Sequence, residues 1–359
     1  MKTIRKLSFV VMVTFGLGGV GRCADDPLPK GYVCVRAEQP IVMDGKLDDK
    51  AWLDAPWTDD FVDILGGRKP PPRFRTRAKM LWDDTYFYVA AELAEPHVWG
   101  TLTKHDSVIF QDNDFEVFID PDGDNHEYYE IEINALNTEW DLLLEKPYRD
   151  GGPAVDAWEI PGLKTATHVN GRINDPNGED ESWTVELAIP WAALKPRANR
   201  PAPPRAGDQW RVNFSRVEWE QTHDDKKYTK TPKSTRDEDN WVWSPQGVID
   251  MHRPATWGFV QFSTNRPGQD RYIPDPANPI KTQLMKIYEL QRLYHEKNRV
   301  WALSLEQLGL KAEPALPNAE LPTLRSTSSG YEVEIRQNPG PDNPRQTWTI
   351  RQDSRLTRN

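Results

Sequence analysis

The sequence predicts an all-β fold, an antiparallel β-sandwich, followed by a small C-terminal helix-plus-hairpin extension. Three observations carry this. Between residues 32 and 263, short segments in which apolar and polar residues alternate recur again and again, the period of a half-buried strand. The chain of 359 residues holds 31 Pro and 22 Gly, enough to place turns between those segments. No long helical period interrupts them; the first one comes only at residues 280–298. Hydrophobic content of 37% and charged content of 28% fit a soluble globular chain, and a net charge of -10 argues against nucleic acid as a partner.

The chain opens with Lys2, Arg5 and Lys6 ahead of an apolar run over residues 7–20 that is short and Gly-rich for a membrane span. Residues 1–24 therefore read as a signal peptide. The mature chain is expected to be exported, to a periplasm, the cell surface or the medium, with no transmembrane span. Arg22 stands directly before Cys23, where a lipidated cysteine normally has a small neighbour, so lipidation is not expected. The mature chain keeps only Cys34, or both cysteines if cleavage falls earlier, and there is no disulfide framework. The sandwich is assigned to residues 31–264, a Pro-rich linker to 265–279 (Pro267, Pro274, Pro276, Pro279) and the extension to 280–359.

Residues 32–36 give the opening strand. Asp44-Gly45 is a turn, and Asp48 is placed to cap a short helical turn holding Ala51 and Trp52. Residues 75–93 read as a hairpin around Asp83-Asp84, with Ala78, Met80 and Trp82 on one face. Residues 140–144 are a further strand. Residues 182–191 form another, stopped by Pro190. Residues 210–219 and 257–262 close the series, and the polar segment 220–240 is expected to be an exposed loop. Leu284, Ile287, Tyr288, Leu290, Gln291 and Tyr294 give the helix its apolar face, and residues 331–337 and 346–351 pair around Pro339-Gly340-Pro341. This extension either docks a protein partner or packs on the sandwich and completes it.

The central pair lies in residues 110–134. Phe115, Val117 and Ile119, then Ile131 and Ile133, face a core, while Asp114, Glu116, Glu130, Glu132 and Asn134 crowd the other face. Such a face is costly unless it meets a sugar, a metal or water. The turn between the strands carries Asp120, Asp122, Asp124 and Glu127, a D-x-D-x-D-x-x-E run whose oxygens can converge on calcium or simply remain a solvated acidic turn. Phe110 precedes the polar run Gln111-Asp112-Asn113 and is either a platform for a sugar ring or a loop aromatic tucked under the sandwich. Trp99, Trp241 and Trp243 are its substitutes, although most of the 15 Trp are expected in the core.

Five motifs in order carry a family resemblance: D-G-x-x-D-x-x-x-W at residues 44–52, W-D-D-T-Y-F-Y-V at 82–89, F-E-V-F-I-D-P-D-G-D at 115–124, W-T-V-E-L-A-I-P-W at 183–191 and W-G-F-V-Q-F at 257–262. Together they resemble the family 9 carbohydrate-binding modules, within the wider group of DOMON-like β-sandwiches. The resemblance implies a jelly-roll-like sandwich that binds without catalysis and supports polysaccharide capture or breakdown. It implies a terminal sugar held between two Trp rings at one open end, polar side chains from the central strands on its hydroxyls, and calcium steadying loops. By motif position, Phe110 stands where one stacking Trp sits, Glu116 matches the strand glutamate and Asn134 a strand asparagine. Glu132 replaces the sugar-binding arginine, and Met251-His252 lie near the second Trp, so the two-Trp sandwich is not reproduced. The candidate carbohydrate-binding residues are thus Phe110, Glu116, Glu132, Asn134, Trp241, Trp243 and His252.

Three other readings compete. Glu116 and Glu132 can be taken as paired hydrolase carboxylates. DOMON relatives bind haem, for which Met80, Met251 and His252 are candidate ligands; with no C-x-x-C-H, covalent haem is excluded. A structural surface protein that has lost the sugar site is the third.

Overall fold

The structure is a computed structural model that describes residues 28–224, 226–231, 238–310, 316, 318–338 and 345–359. The signal-peptide expectation, Cys23, part of the polar segment 220–240 and the turn at residues 339–341 lie outside the described residues.

The main sheet begins with β1 (Gly31–Arg36), β2 (Val62–Asp63), β3 (Thr76–Trp82), β4 (Tyr86–Ala94), β5 (Asp114–Asp120) and β6 (Tyr128–Asn134). It continues with β7 (Glu139–Leu144), β8 (Ala154–Val155), β9 (Lys164–Asn170), β10 (Ser182–Pro190) and β11 (Gln209–Trp219). A separate hairpin, β12 (Gln221–His223) and β13 (Tyr228–Lys230), precedes β14 (Glu238–Val242) and β15 (Gly258–Ser263), which return to the sheet. The neighbour order is β8-β7-β6-β5-β11-β15-β1-β3-β4-β10-β9, with β14 and β2 branching from β11. Pairing is antiparallel except that β1 runs parallel to both β15 and β3, so the sandwich is mixed at that seam.

The sheet curls until its two halves face each other. Phe115, Val117, Ile131 and Ile133 from β5 and β6 share one core with Met80, Val89, Val185 and Leu187 from β3, β4 and β10. Alternation therefore decides which side chains enter the core and which face outward. Trp191, Trp210, Phe87 and Phe262 interlock at one end of that core, ring centroids 5.4–5.9 Å apart.

Two local expectations are corrected. The short helix α1 (Lys50–Asp54) starts after Asp49, not Asp48, and Asp49 spends its carboxylate on the Val42 N–H (2.8 Å) rather than on a cap. The polar segment 220–240 is not merely a loop, because Glu238–Val242 pairs with β11. A second short helix, α2 (Trp191–Leu194), follows β10 directly. Cys34 is buried and unbonded. Among the described residues, no helix is long and apolar enough to cross a membrane.

The extension consists of α3 (Asn278–Asn298) and a four-stranded sheet, β16 (Thr323–Thr327), β17 (Gly330–Gln337), β18 (Gln346–Arg351) and β19 (Leu356–Arg358). Ile280, Leu284, Ile287 and Tyr288 pack on Val333, Ile335, Trp348 and Ile350, so the helix's apolar stripe is covered from within the chain. The extension also grips the sandwich. Glu289 takes both Arg149 (2.7 Å) and Arg253. Asp150 accepts from the Tyr288 hydroxyl (2.5 Å), Arg292 (3.0 Å) and the Ser354 hydroxyl (2.7 Å). The Pro-rich segment is likewise tied down: Gln261 donates to Arg271 O and accepts from Ile273 N, and Tyr272 stacks on Phe259.

Candidate functional site

On the outward face of the central strands, Glu116 lies directly opposite Glu132, Phe118 opposite Glu130 and Asp114 opposite Asn134. Like charges paired across strands destabilise a sheet, and water would normally screen them. Here they are covered: Asp114 is 0% exposed, Glu116 5%, Glu130 4% and Glu132 2%. The cover is built from distant parts of the chain: the turn at Ile109–Gln111, Tyr148, and residues 249–252. Between cover and sheet lies a cleft of about 240 Å³. Its floor is Glu116, Glu130 and Glu132, and its walls include Phe110, Trp140, Tyr148 and His252.

The floor is electrostatically bare. Glu132 accepts one hydrogen bond, from the Phe110 N–H at 2.8 Å. Asp114 Oδ2, Glu116 Oε2 and Glu130 Oε2 have no partner. Burial, and then the neighbouring Glu116, push the Asp114, Glu130 and Glu132 carboxyls well above the usual carboxylate range; burial pushes Glu116 up to about 7. Among the described lining residues none is Lys or Arg. His252 adds no positive charge near neutral pH, because burial pushes it down to about 4; its Nδ1 meets the Tyr128 hydroxyl at 3.0 Å. The cleft thus offers carboxyl oxygens to hydroxyls or cations, and ring faces and edges to a flat apolar surface.

The structure brings Phe110, Glu116, Glu132 and His252 together around this cleft, with Phe110 37% exposed at the rim. Three candidates are corrected. Trp241 and Trp243 do share a face, but it is the core face: Trp241 packs against Phe74 and Arg216, and Trp243 against Tyr32 and Phe214. Neither ring is free to stack on a ligand. Asn134 is fully buried and spent on two loops, donating to Leu102 O and Asp112 ahead of β5 and accepting from Leu136 N and Thr138 N in the turn that follows it. Trp99 is buried as well. Two lining residues escaped the sequence. Trp140 pairs with Glu132 and so shares its face, a signal available once β7 is placed beside β6. Tyr148 sits in a short turn with no periodicity to read.

The turn acids are a second cluster. Asp120, Asp122 and Asp124 bring ligand oxygens within 4.8 Å of one another, a spread that fits a hard cation bound by oxygen. Glu127 is corrected: it pairs with Arg197 instead of closing the cage. Asp124 also meets Arg355 at 3.1 Å, and Asp120 accepts from Gly123 N and Asn125 N. The haem candidates are split: Met80 lies in the sandwich core, while Met251 belongs to the apolar cluster on the opposite face of β5 and β6.

Comparison with known proteins fixes the family. A family model described as carbohydrate family 9 binding domain-like matches residues 42–243, more than half of the chain. The chain belongs to that family. It is a family of binding domains rather than enzymes, which sets aside the hydrolase reading of Glu116 and Glu132. This family 9 domain is similar to the exoglucanase XynX of Acetivibrio thermocellus, 30% identical over 155 residues that make up 43% of this chain and 12% of that protein. It is similar also to endo-1,4-beta-xylanase A of Thermoanaerobacterium saccharolyticum, 28% identical over 155 residues, 43% of this chain and 11% of that protein. The matches thus take in about a tenth of the length of these curated relatives. Among solved structures it is similar to a family 9 module from Caldicellulosiruptor kristjanssonii in complex with cellotriose, at 17% identity and a TM-score of 0.44, covering 68% of this chain and all of that one.

Proposed function

We propose that the chain binds carbohydrate in the cleft on the outward face of β5 and β6, as an exported, non-catalytic module that holds a polysaccharide for capture or breakdown. The observation that carries this is the cleft itself: in a family 9 domain, an acid floor of Glu116, Glu130 and Glu132 faces a rim of Phe110, Trp140 and Tyr148. Carboxyl oxygens accept from sugar hydroxyls, and the faces of aromatic rings cover the apolar C–H face of a pyranose. The basic N-terminal stretch ahead of residues 7–20 supports export. The turn formed by Asp120, Asp122 and Asp124 is part of the proposal as a structural calcium site, held by three carboxylates without Glu127.

Titration calorimetry of the purified chain against xylo- and cello-oligosaccharides, then against a wide glycan panel, tests the reading. Binding that is lost in Tyr148→Ala while the fold is retained supports it. Silence across the panel overturns it and leaves a fold kept for structural purposes.

A further inference from the structure

The cleft floor contains more carboxylates than a neutral sugar needs. Asp114, Glu116 and Glu132 each offer an oxygen, and these oxygens all lie within 4.8 Å of one another. A cation bound by oxygens at 2.3–2.6 Å, the calcium range, spans opposite ligands by roughly 5 Å. The set therefore fits around one ion without rearrangement of the strands.

A second observation points the same way from outside the trio. Glu130 is nine-tenths buried, lines the same cleft and has an oxygen with no partner. Within the trio, Asp114 Oδ2 and Glu116 Oε2 are also unpartnered. Buried carboxylates usually gain N–H donors or a cationic neighbour. This chain supplies one elsewhere: Glu95 and Glu218 share Arg216, at 2.7 and 2.8 Å. At the cleft no described lining residue is basic, and the backbone N–H groups that reach the trio, Phe110 to Glu132 and Val217 to Asp114, leave Asp114 Oδ2 and Glu116 Oε2 open.

We propose that Asp114, Glu116 and Glu132 bind a calcium-sized divalent cation at the floor of the cleft, and that this cation presents open coordination positions to vicinal hydroxyls of the sugar. The donor type selects the metal. All donors are carboxylate oxygens with no imidazole or thiolate among them, which suits a hard cation better than zinc or copper. The ion takes the place of an in-built basic side chain, and Glu132 becomes a ligand. Glu116 and Glu132 line the cleft as well as the cluster, so the ion is reachable from the mouth. The sugar-facing part rests on the carbohydrate reading above; the metal part does not.

The experiment uses the full chain stripped of metal. Asp122→Ala serves as background, so that the turn cluster does not contribute. Calcium is titrated by calorimetry, and terbium by luminescence sensitised from the nearby aromatic rings. One calcium is expected in Asp122→Ala, with affinity falling about tenfold or more when Glu116→Gln or Glu132→Gln is added. The second variant keeps an acceptor for the Phe110 N–H, and melting curves confirm that each remains folded. A flat isotherm in Asp122→Ala up to millimolar calcium, or calcium binding indifferent to Glu116→Gln, overturns the proposal and assigns shared protons to the cluster. Sugar titrations in calcium and in chelator separate the two readings. Sugar bound in calcium and lost in chelator supports both. Sugar bound equally in chelator, or an amino sugar bound only there, overturns the ion's role. Calcium bound with no sugar bound in either condition overturns the carbohydrate reading while the ion stands.

Discussion

Two groups of buried carboxylates lie on opposite faces of the same sheet, and they are treated differently. On the core side of β11, Glu95 and Glu218 flank Arg216, whose guanidinium also donates to Thr76 Oγ1 and Ala94 O. On the outward side, Asp114, Glu116, Glu130 and Glu132 stand together with no basic partner among the described cleft residues. Both groups are buried. Only the first has its counter-charge encoded in the chain. A buried charge left open beside a cleft is a place where something from outside completes the structure, whereas a buried charge closed by arginine is scaffold.

The comparison is broken most severely at Arg216. Arg216→Ala removes the buried guanidinium that Glu95 and Glu218 share, leaving Glu95 only the His97 N–H and Glu218 only Asn113 and the more distant Arg73, and we expect a loss of about 3–5 kcal/mol in urea unfolding. A loss below 1 kcal/mol would mean that the two sets are not different in kind.

The second test reads pH. Burial raises Glu116 from its ordinary 4.5 to about 7, so the folded chain holds a proton that the unfolded chain has released. Stability must then fall as pH rises from about 4.5 to about 7, and the penalty is complete above that. In chelator, Glu116→Gln removes on the order of 3 kcal/mol of this penalty at pH 8 and nothing at pH 4. The difference between the two stability curves, rather than the wild-type curve, is the measurement, because burial also raises Glu186 to about 7 and Glu218 to about 8. Parallel curves across this window would show that Glu116 is not strained.

A third test sharpens the contrast between the cleft and the Asp120–Asp122–Asp124 turn. Calcium at a hundredfold excess over its Kd should add about 2.7 kcal/mol per site. Asp122→Ala should remove the turn's share of the rise in Tm and leave the cleft's. Identical melting of metal-stripped wild type in calcium and in chelator would remove ions from both places.

The smallest effect is expected at the rim. Phe110→Ala should weaken sugar binding by about 1 kcal/mol, with Tm nearly unchanged, because the ring is 37% exposed. A large drop in Tm would make the ring part of the cover instead.

Much of the fold was legible because alternation is local. β5, β6 and the hairpin of β3 and β4 follow from residues that sit beside one another, and α3 follows from one continuous stripe. β9 was missed because Lys164–Asn170 is a half-buried edge strand with polar residues throughout. β14 was hidden in a charged segment whose partner, β11, lies earlier in the chain. At the site, alternation sorted Glu116 and Glu132 from Phe115 and Ile131 correctly. It could not say that the acid face would be roofed, since the roof comes from residues 109–111, 148 and 249–252. Trp241 and Trp243 show the same limit: a shared face is visible in a sequence, but whether that face looks inward depends on its neighbours.

The grip of α3 on the sandwich bears on where this module ends. Arg149 and Asp150 directly follow Tyr148 on the cleft rim, and Arg253 directly follows His252. The helix thus holds both sides of the mouth from behind, through Glu289, Tyr288 and Arg292. The family outline stops at residue 243, yet a chain trimmed to that outline would lose β15 and every one of these clasps. The smallest fragment worth expressing therefore keeps the sandwich and the extension together, and the aperture of the cleft is a property of the extension as much as of the strands that floor it.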